Sequence, residues 1–218
     1  HSVRALSRRA APGGNAPRVR SVTYVPDDAR SVAAAIDGAD AVVNLAGHGL
    51  FDGRWTAARM ALIRSSRVDG TKALVDAMRG LARKPSVLVS ASAVGFYGPQ
   101  HPDRTVDEAD GPGDDFLAEV CRAWEAEAMK AEALGVRVAV PRLGVVLAKD
   151  GGALKQMALP FKLFAGGPVG NGRQVMSWIH RDDLVAMIVA MVEDPRWRGA
   201  YNATAPFPAS NKAFSKVL

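Results

Sequence analysis

The chain has 218 residues, of which 48% are hydrophobic and 23% charged, a composition typical of a folded globular protein and not of a disordered one. Five arginines within residues 1–20, a stretch without any acid, account for most of the formal charge of +6. Such a local excess is not the basic stripe of a duplex-binding surface, so nucleic acid is not predicted as a partner.

No segment approaches the roughly 18 uninterrupted apolar residues of a membrane span, and no basic-then-apolar leader opens the chain. We therefore expect a cytoplasmic location with neither a membrane span nor a signal peptide. The single cysteine, Cys121, excludes a disulfide within this chain and is interpreted as a small buried hydrophobic residue. The four histidines lack ligand spacing, so no metal site is predicted.

Short apolar runs separated by amphipathic stretches predict alternating strands and helices. The predicted strands are Val3–Ser7, Ala41–Leu45, Ser86–Val89 and Val136–Val140. Thr56 is predicted to cap a helix that begins at Ala57, Gly135 to stop a later helix, and Pro141 to end the last strand. This alternation predicts an α/β fold with a Rossmann-like, doubly wound parallel sheet.

Beyond Pro141 the glycines follow one another closely and predict loops as far as Trp178. Asp182–Asp183 is predicted to cap a helix over Leu184–Val192, and a further helix is predicted to begin near Ser210. These patterns predict a nucleotide-binding domain over residues 1–143 and a small, partial substrate-binding lobe over residues 144–218.

The chain enters a strand directly and ends inside a predicted helix, so we expect it to be truncated at both ends. The sequence contains no G-x-G-x-x-G turn after its first strand. If Val3–Ser7 is the second strand of the sheet, we expect the first strand and its glycine loop to lie upstream.

The residues that end the second strand of such a sheet select the dinucleotide, and here they are Ser7, Arg8 and Arg9. A guanidinium offers two parallel donors and a full charge to a 2′-phosphate, so this pair of arginines predicts NADP. The alternative is that both arginines only solvate the end of a strand.

Small residues follow two further predicted strands, where a cofactor can approach the backbone closely. Leu45, Ala46 and Gly47 follow one strand, and Ser90 and Ser92 end the next. Ligands of open α/β sheets bind at the carboxyl ends of strands, so Leu45, Ala46, Gly47 and Ser90 are predicted to contact the cofactor.

Four motifs fall in the order found in extended short-chain dehydrogenase/reductases: Asn44–Gly47, Ser90–Gly98 (SASAVGFYG), Pro141–Gly144 (PRLG) and Trp178–Asp183 (WIHRDD). Together with Arg54-Trp55 and Gly166–Gln174, they resemble the atypical branch called the nucleoside-diphosphate-sugar epimerase-like family. The resemblance implies a Rossmann core, NADP binding, a substrate pocket beside a small C-terminal lobe, and homodimers.

The sequence departs from that family at the catalytic pair. Classical members carry a Tyr and a Lys four residues apart on the helix after the serine strand, and the Lys promotes proton exchange by the Tyr. Aligning Glu125 with the family helix puts Leu117 and Cys121 at these two places. No Tyr-x-x-x-Lys occurs anywhere in the chain.

The remaining candidates come from the same motifs. Ser92 and Tyr97 are predicted as catalytic residues and Arg142 as a cofactor contact, although Ser90 could take the place of Ser92. The predicted substrate-binding residues are Arg54, Trp55, Arg173 and His180, with Gln174 beside them. The alternatives are that the serines bond the backbone, that Tyr97 and the surface groups only pack, and that His180 fixes a helix start. A Ser-His-Asp hydrolase is disfavoured because no G-x-S-x-G elbow surrounds either serine.

Three functions remain open. The first is an NADP-dependent oxidoreductase or epimerase-like enzyme acting on a small carbonyl or hydroxyl substrate. The second is a catalytically silent, regulatory NADP-binding protein, which the missing Tyr and Lys favour. The third is a nucleotide-sugar epimerase, which rests on the resemblance alone.

Overall fold

The computed structural model describes residues 1–9, 17–50, 53–163 and 165–218. The strands are β1 (Val3–Ser7), β2 (Val19–Thr23), β3 (Ala41–Asn44), β4 (Val87–Ser90), β5 (Ser92–Ala93), β6 (Arg137–Leu143), β7 (Val145–Ala148), β8 (Val175–Met176), β9 (Trp178–His180), β10 (Gly199–Ala203) and β11 (Ala209–Ser210). The α-helices are α1 (Ala29–Ile36), α2 (Ala57–Gly80), α3 (Phe116–Met129), α4 (Gly152–Lys162), α5 (Arg181–Glu193) and α6 (Asn211–Val217). Two 3₁₀ helices span Val94–Tyr97 and Lys130–Leu134.

The central sheet has the strand order β10-β6-β4-β3, with the short β5 also beside β6. Strand β6 runs parallel to both β10 and β5, and the pairs β1–β2 and β7–β9 are parallel as well. Every residue of β4 is buried, as expected for a strand of a parallel sheet whose two faces are covered. Parallel strands that alternate with helices confirm the predicted α/β class.

The chain forms two compact units, and the first comprises His1–Leu88 and Ala126–Val138. Within this unit, β1 pairs with β2, and α1 packs against α2. The predicted cap of α2 is confirmed, because the Thr56 side chain accepts a hydrogen bond from the Arg59 N–H. The 24 residues of α2 form one continuous helix that buries Ile63, Val75 and Met78.

The second unit comprises Val89–Glu125 and Ala139–Leu218. Its strand β6 shows that the predicted strand end at Pro141 is wrong, because β6 continues to Leu143. The φ angle of proline is compatible with a strand, and proline removes only one backbone N–H donor from the sheet. Strand β6 keeps its parallel register with β10 both before and after Pro141, which lies opposite Tyr201.

The prediction of loops between Pro141 and Trp178 is wrong for three segments, because β7, α4 and the two-residue strand β8 form there. Backbone bridges join Leu147 to Gly152 and Ala148 to Gly151, so the glycine pair makes a tight reversal after β7. Gly152 adopts φ +64°, which glycine accepts without strain, and α4 then packs back against β7. The glycines therefore connect two elements here.

The first turn of α5 also differs from the prediction. The helix begins at Arg181, and its cap is His180, whose Nδ1 accepts a hydrogen bond from the Asp182 N–H at 3.2 Å. Asp182 and Asp183 instead occupy the first turn, where negative charge complements the helix dipole. The helix predicted to begin near Ser210 is confirmed as α6, and the Ser210 side chain caps it by accepting from the Ala213 N–H.

Gly135 ends the segment after α3 in the left-handed conformation, as predicted. Within the described ranges, no helix combines the length and the apolar character needed to cross a membrane. The division into functional domains at residue 143 stays a prediction.

Two glycines hold the turn after the first 3₁₀ helix against the loop that leads into α3. The Gly113 N–H donates to the Phe96 carbonyl at 2.9 Å. A Cβ on Gly113 would lie 2.8 Å from both the Tyr97 carbonyl oxygen and the Gly98 Cα, both of which are backbone atoms. Only glycine therefore fits at position 113 without moving this turn.

We expect Gly113→Ala to lower the free energy of unfolding by about 1–3 kcal/mol, because the added methyl group forces backbone atoms apart. Gly111→Ala, in the same loop, is the matched control, since nothing lies within 4 Å of its added Cβ. Urea denaturation of both variants measures the difference. Equal stability of the two variants would contradict this close approach.

Candidate functional site

A buried ion pair lies at the centre of the second unit. Arg142 of β6 is 5% exposed and holds Glu125 of α3 through two hydrogen bonds. Its Nε donates to Oε1 and its Nη2 to Oε2, each at 2.9 Å. A charge in a buried strand must be paired, and this forked geometry satisfies both oxygens of the carboxylate.

Arg142 makes two further contacts, both with the 3₁₀ helix Val94–Tyr97. Its Nη1 donates to the Tyr97 hydroxyl at 2.9 Å, and its Cζ lies 3.5 Å from the centre of the Phe96 ring. Burial opposes the charge, but the hydrogen bonds to Glu125 and Tyr97 outweigh burial and raise the pKa of Arg142. All three side-chain nitrogens of this predicted cofactor contact thus donate within the protein.

Ser92 completes the environment of the Glu125 carboxylate. Its hydroxyl donates to Oε1 at 2.6 Å, and the side chain is 1% exposed. Ser92 on β5 lies opposite Arg142 in the parallel register, which brings the hydroxyl to the carboxylate. Ser90 is fully buried at the end of β4. Of the two serines, Ser92 is the one that binds this carboxylate.

Tyr97 links the ion pair to β10. Its hydroxyl donates to the Asn202 Oδ1 at 2.8 Å while accepting from Arg142. The Asn202 backbone N–H in turn donates to the Glu108 carboxylate at 2.6 Å. Tyr97 is 3% exposed, so these contacts determine the direction of its hydroxyl.

The two helix positions aligned with the family's missing Tyr and Lys pack against the turn that carries Tyr97. Cys121 forms a buried cluster with Phe96 and Tyr97. The Leu117 Cβ lies 3.5 Å from the place where a Cβ on Gly95 would be. The Tyr97 phenol therefore lies beside the turn of helix α3 at which classical family members carry their Tyr and Lys.

A cleft of about 740 Å³ opens within the second unit. Tyr97 and Asn202 line it, together with two predicted substrate-binding residues, Arg173 and Gln174. Ser92 and Arg142 are not part of its lining. Of the two predicted catalytic residues, only Tyr97 borders this cleft.

His180 makes its described contacts at the start of α5, where it caps the helix, and it does not line this cleft. Arg54 and Trp55 lie in the first unit, ahead of α2. The Trp55 indole is 45% exposed and donates to the Leu50 carbonyl. Of the predicted substrate-binding residues that lie in the second unit, Arg173 lines the cleft and His180 does not.

In the first unit, the residues after β1 present two cations. Arg8 and Arg9 are exposed, and neither guanidinium makes a hydrogen bond or ion pair with a residue that the structure describes. The Ser7 hydroxyl accepts from the Arg9 N–H at 3.3 Å and shapes the strand end. Both side chains are therefore accessible to an anion.

Asn44 shapes the end of β3 and anchors it to α2. Its amide donates to the Thr71 hydroxyl at 2.9 Å, and its Oδ1 accepts from the Ala46 N–H at 3.2 Å. Leu45, Ala46 and Gly47 are exposed, so the backbone after this strand is accessible.

Arg67 of α2 packs against the same loop. Its guanidinium donates to the His48 carbonyl, and its Cζ lies 3.0 Å from the place where a Cβ on Gly47 would be. Sequence reasoning missed Arg67 and Thr71, although their spacing of four residues on a helix indicates a shared face.

Sequence reasoning also missed Asn202 and Glu108, and used Glu125 only to align a helix. One signal was available, because an arginine inside the apolar strand Arg137–Leu143 requires a buried acid as partner. Among the described residues, no three His, Cys, Asp or Glu side chains are grouped so as to hold a metal.

Comparison with known proteins places these features in a family. The model of the NAD dependent epimerase/dehydratase family matches residues 1–203. The chain is 47% identical over 175 residues to the chloroplastic epimerase family protein SDR39U1 homolog of Arabidopsis thaliana, covering 79% of this chain and 50% of that protein. It is 36% identical over 220 residues to the epimerase family protein YfhF of Bacillus subtilis, covering all of this chain and 71% of that protein.

Two solved structures are similar over 99% of this chain. One is the human epimerase family protein SDR39U1 with NADPH, with 31% identity, a TM-score of 0.83 and 70% of that chain covered. The other is a nucleoside-diphosphate sugar epimerase from Corynebacterium glutamicum, with 33% identity, a TM-score of 0.79 and 48% of that chain covered.

This chain spans between half and about seven tenths of the curated relatives described above. The structural likeness confirms the predicted Rossmann-like fold. Family model, relatives and fold agree with the order of the strand-end motifs. The chain belongs to the NAD-dependent epimerase/dehydratase family, as an atypical, epimerase-like short-chain dehydrogenase/reductase.

Proposed function

We propose that the chain is the NADP-binding part of an oxidoreductase or epimerase-like enzyme that acts on a small carbonyl or hydroxyl compound. The observation that carries the proposal is the pair of exposed arginines directly after β1, which offers forked donors to a 2′-phosphate. The similar human protein, which was solved with NADPH, supports the same cofactor.

The described residues fit such a cofactor. Arg8 and Arg9 supply charge for a phosphate, and neither is engaged by a described acid. The exposed backbone of Leu45, Ala46 and Gly47 follows a second strand, so a flat ligand can approach it closely. When bound, NADP exchanges a hydride with the substrate, and the protein must supply the proton.

We propose that Tyr97 donates the proton to the substrate. Its hydroxyl accepts a hydrogen bond from the Arg142 guanidinium, so negative charge that develops on the phenol oxygen meets a fixed cation. The proton lies in the bond to Asn202, at the lining of the cleft. Glu125, which itself accepts a hydrogen bond from Ser92, holds Arg142 in place through the other guanidinium nitrogens.

A silent NADP-binding protein is the second candidate, and one specific observation favours it. The Ser92 proton is committed to Glu125 and the Tyr97 proton to Asn202, so both candidate hydroxyls are already engaged within the protein. NADPH binding without consumption across a panel of carbonyl compounds would favour this candidate.

We expect the double variant Arg8→Ala/Arg9→Ala to weaken NADPH binding by about 10- to 100-fold, because charge-assisted hydrogen bonds to the 2′-phosphate are lost. NADH binding should stay nearly unchanged, since NADH lacks that phosphate. Calorimetry with both cofactors measures the two affinities. Arg20→Ala, an exposed arginine on β2, is the control. Equal losses for NADPH and NADH would contradict the 2′-phosphate site.

We expect Tyr97→Phe to lower kcat for NADPH oxidation by about 100-fold or more, because the proton donor is removed. Tyr201→Phe is the matched control, since its hydroxyl bonds the Arg198 N–H and it does not line the cleft. Stopped-flow kinetics give kcat, and calorimetry gives the affinity for NADPH. If kcat falls only as far as the folded fraction does, Tyr97 has a structural role and the proton comes from elsewhere.

A further inference from the structure

The side chains that carry a full charge in the lining of the second unit's cleft are all positive. The lining contains the guanidinium groups of Arg104 and Arg173 and no aspartate or glutamate, and the imidazole of His101 also lines it. The other polar side chains of the lining are neutral: Tyr97, Gln100, Asn171, Gln174, Ser177, Asn202 and Thr204. A cavity with this lining favours a ligand that carries negative charge.

The nearby acids balance part of this charge. Arg104 donates to Asp110 at 3.0 Å. The Asp107 N–H and Arg104 hold the pKa of Asp110 below its usual value, so that carboxylate stays ionised and offsets Arg104. The Glu108 carboxylate accepts from the Asn202 N–H, and the His101 Nδ1 lies 3.5 Å from the Asp103 carboxylate.

Arg173 keeps its charge available. Its side chain is exposed, and within the described ranges its guanidinium makes no hydrogen bond or ion pair. Its backbone is nevertheless well held, because the Arg173 N–H donates to the Asn171 Oδ1 and the Gln174 carbonyl accepts from the Asn211 N–H. A cation on an anchored backbone segment suits anion recognition, because little backbone entropy is lost on binding.

We propose that this cleft binds a small molecule with an oxyanion group, held by Arg173, while its polar remainder reaches Tyr97 and Asn202. The inference rests on the proposed function, and it narrows the substrate to a carbonyl or hydroxyl compound that carries a carboxylate or a phosphate. The volume of about 740 Å³ is sufficient for such a molecule.

The test is an NMR titration without NADPH, using inorganic phosphate in one arm and oxalate in the other. Saturable shifts are expected at the amides of residues 170–174 and at the side-chain amides of Gln100 and Gln174. Arg173→Gln should raise the apparent Kd at least about tenfold, because charge-assisted hydrogen bonds are lost. Arg198→Gln, which removes the same charge outside the cleft, should leave the Kd unchanged.

Arg173→Lys keeps the charge without the fork and should give an intermediate Kd, which guards against a folding defect in the glutamine variant. Tighter binding of phosphate identifies a phosphate ester, and tighter binding of oxalate identifies a carboxylate. Absence of saturation overturns the proposal, and so does an equal loss of affinity in the Arg173→Gln and Arg198→Gln variants.

The two proposals fail separately. If NADPH oxidation with a carbonyl substrate is present but phosphate and oxalate do not bind at Arg173, only the anion site is wrong. If both anions bind at Arg173 while NADPH does not bind, only the proposed function is wrong.

Discussion

A guanidinium buried in a parallel strand must be neutralised, and the second unit is organised around this requirement. Arg142 takes both oxygens of Glu125, and Ser92 adds a third hydrogen bond to the same carboxylate. Removing one partner of a buried ion pair typically costs about 3–5 kcal/mol, since the other charge is left uncompensated. The pair therefore joins β6, α3 and β5, and the opposite side of Arg142 remains for Tyr97.

This arrangement bears directly on the missing catalytic pair. The helix positions aligned with the family's Tyr and Lys hold Leu117 and Cys121, and both pack against the turn that carries Tyr97. A cation beside a phenol is thus present, but Arg142 supplies the cation from a strand instead of a lysine from the helix. Whereas the Tyr97 hydroxyl lies beside a cation, the Ser92 hydroxyl donates to the Glu125 carboxylate, and Ser92 does not line the cleft.

Local patterns predicted four of the strands and four of the α-helices that the structure describes, because strands, caps and helix stops depend on residues close together in sequence. Thr56 and Gly135 act as predicted, and a helix begins after Ser210 as predicted. The errors arose where tertiary contacts outweighed a local signal. Pro141 lies inside β6 because its register with β10 continues on both sides, and β7 with α4 forms in a glycine-rich segment because the two elements pack together.

The sequence alone established that no Tyr-x-x-x-Lys exists and that two arginines follow the first strand, because both facts concern residues adjacent or four apart. It also singled out Tyr97 as a phenol after the serine strand. Only the tertiary structure decided its partners, since Asn202 is 105 residues away and Arg142 is 45 residues away. The structure likewise separated Tyr97, at a cleft, from Ser92, inside a buried network. Sheet register determines which distant side chains meet, and the periodicity of a single strand does not contain that information.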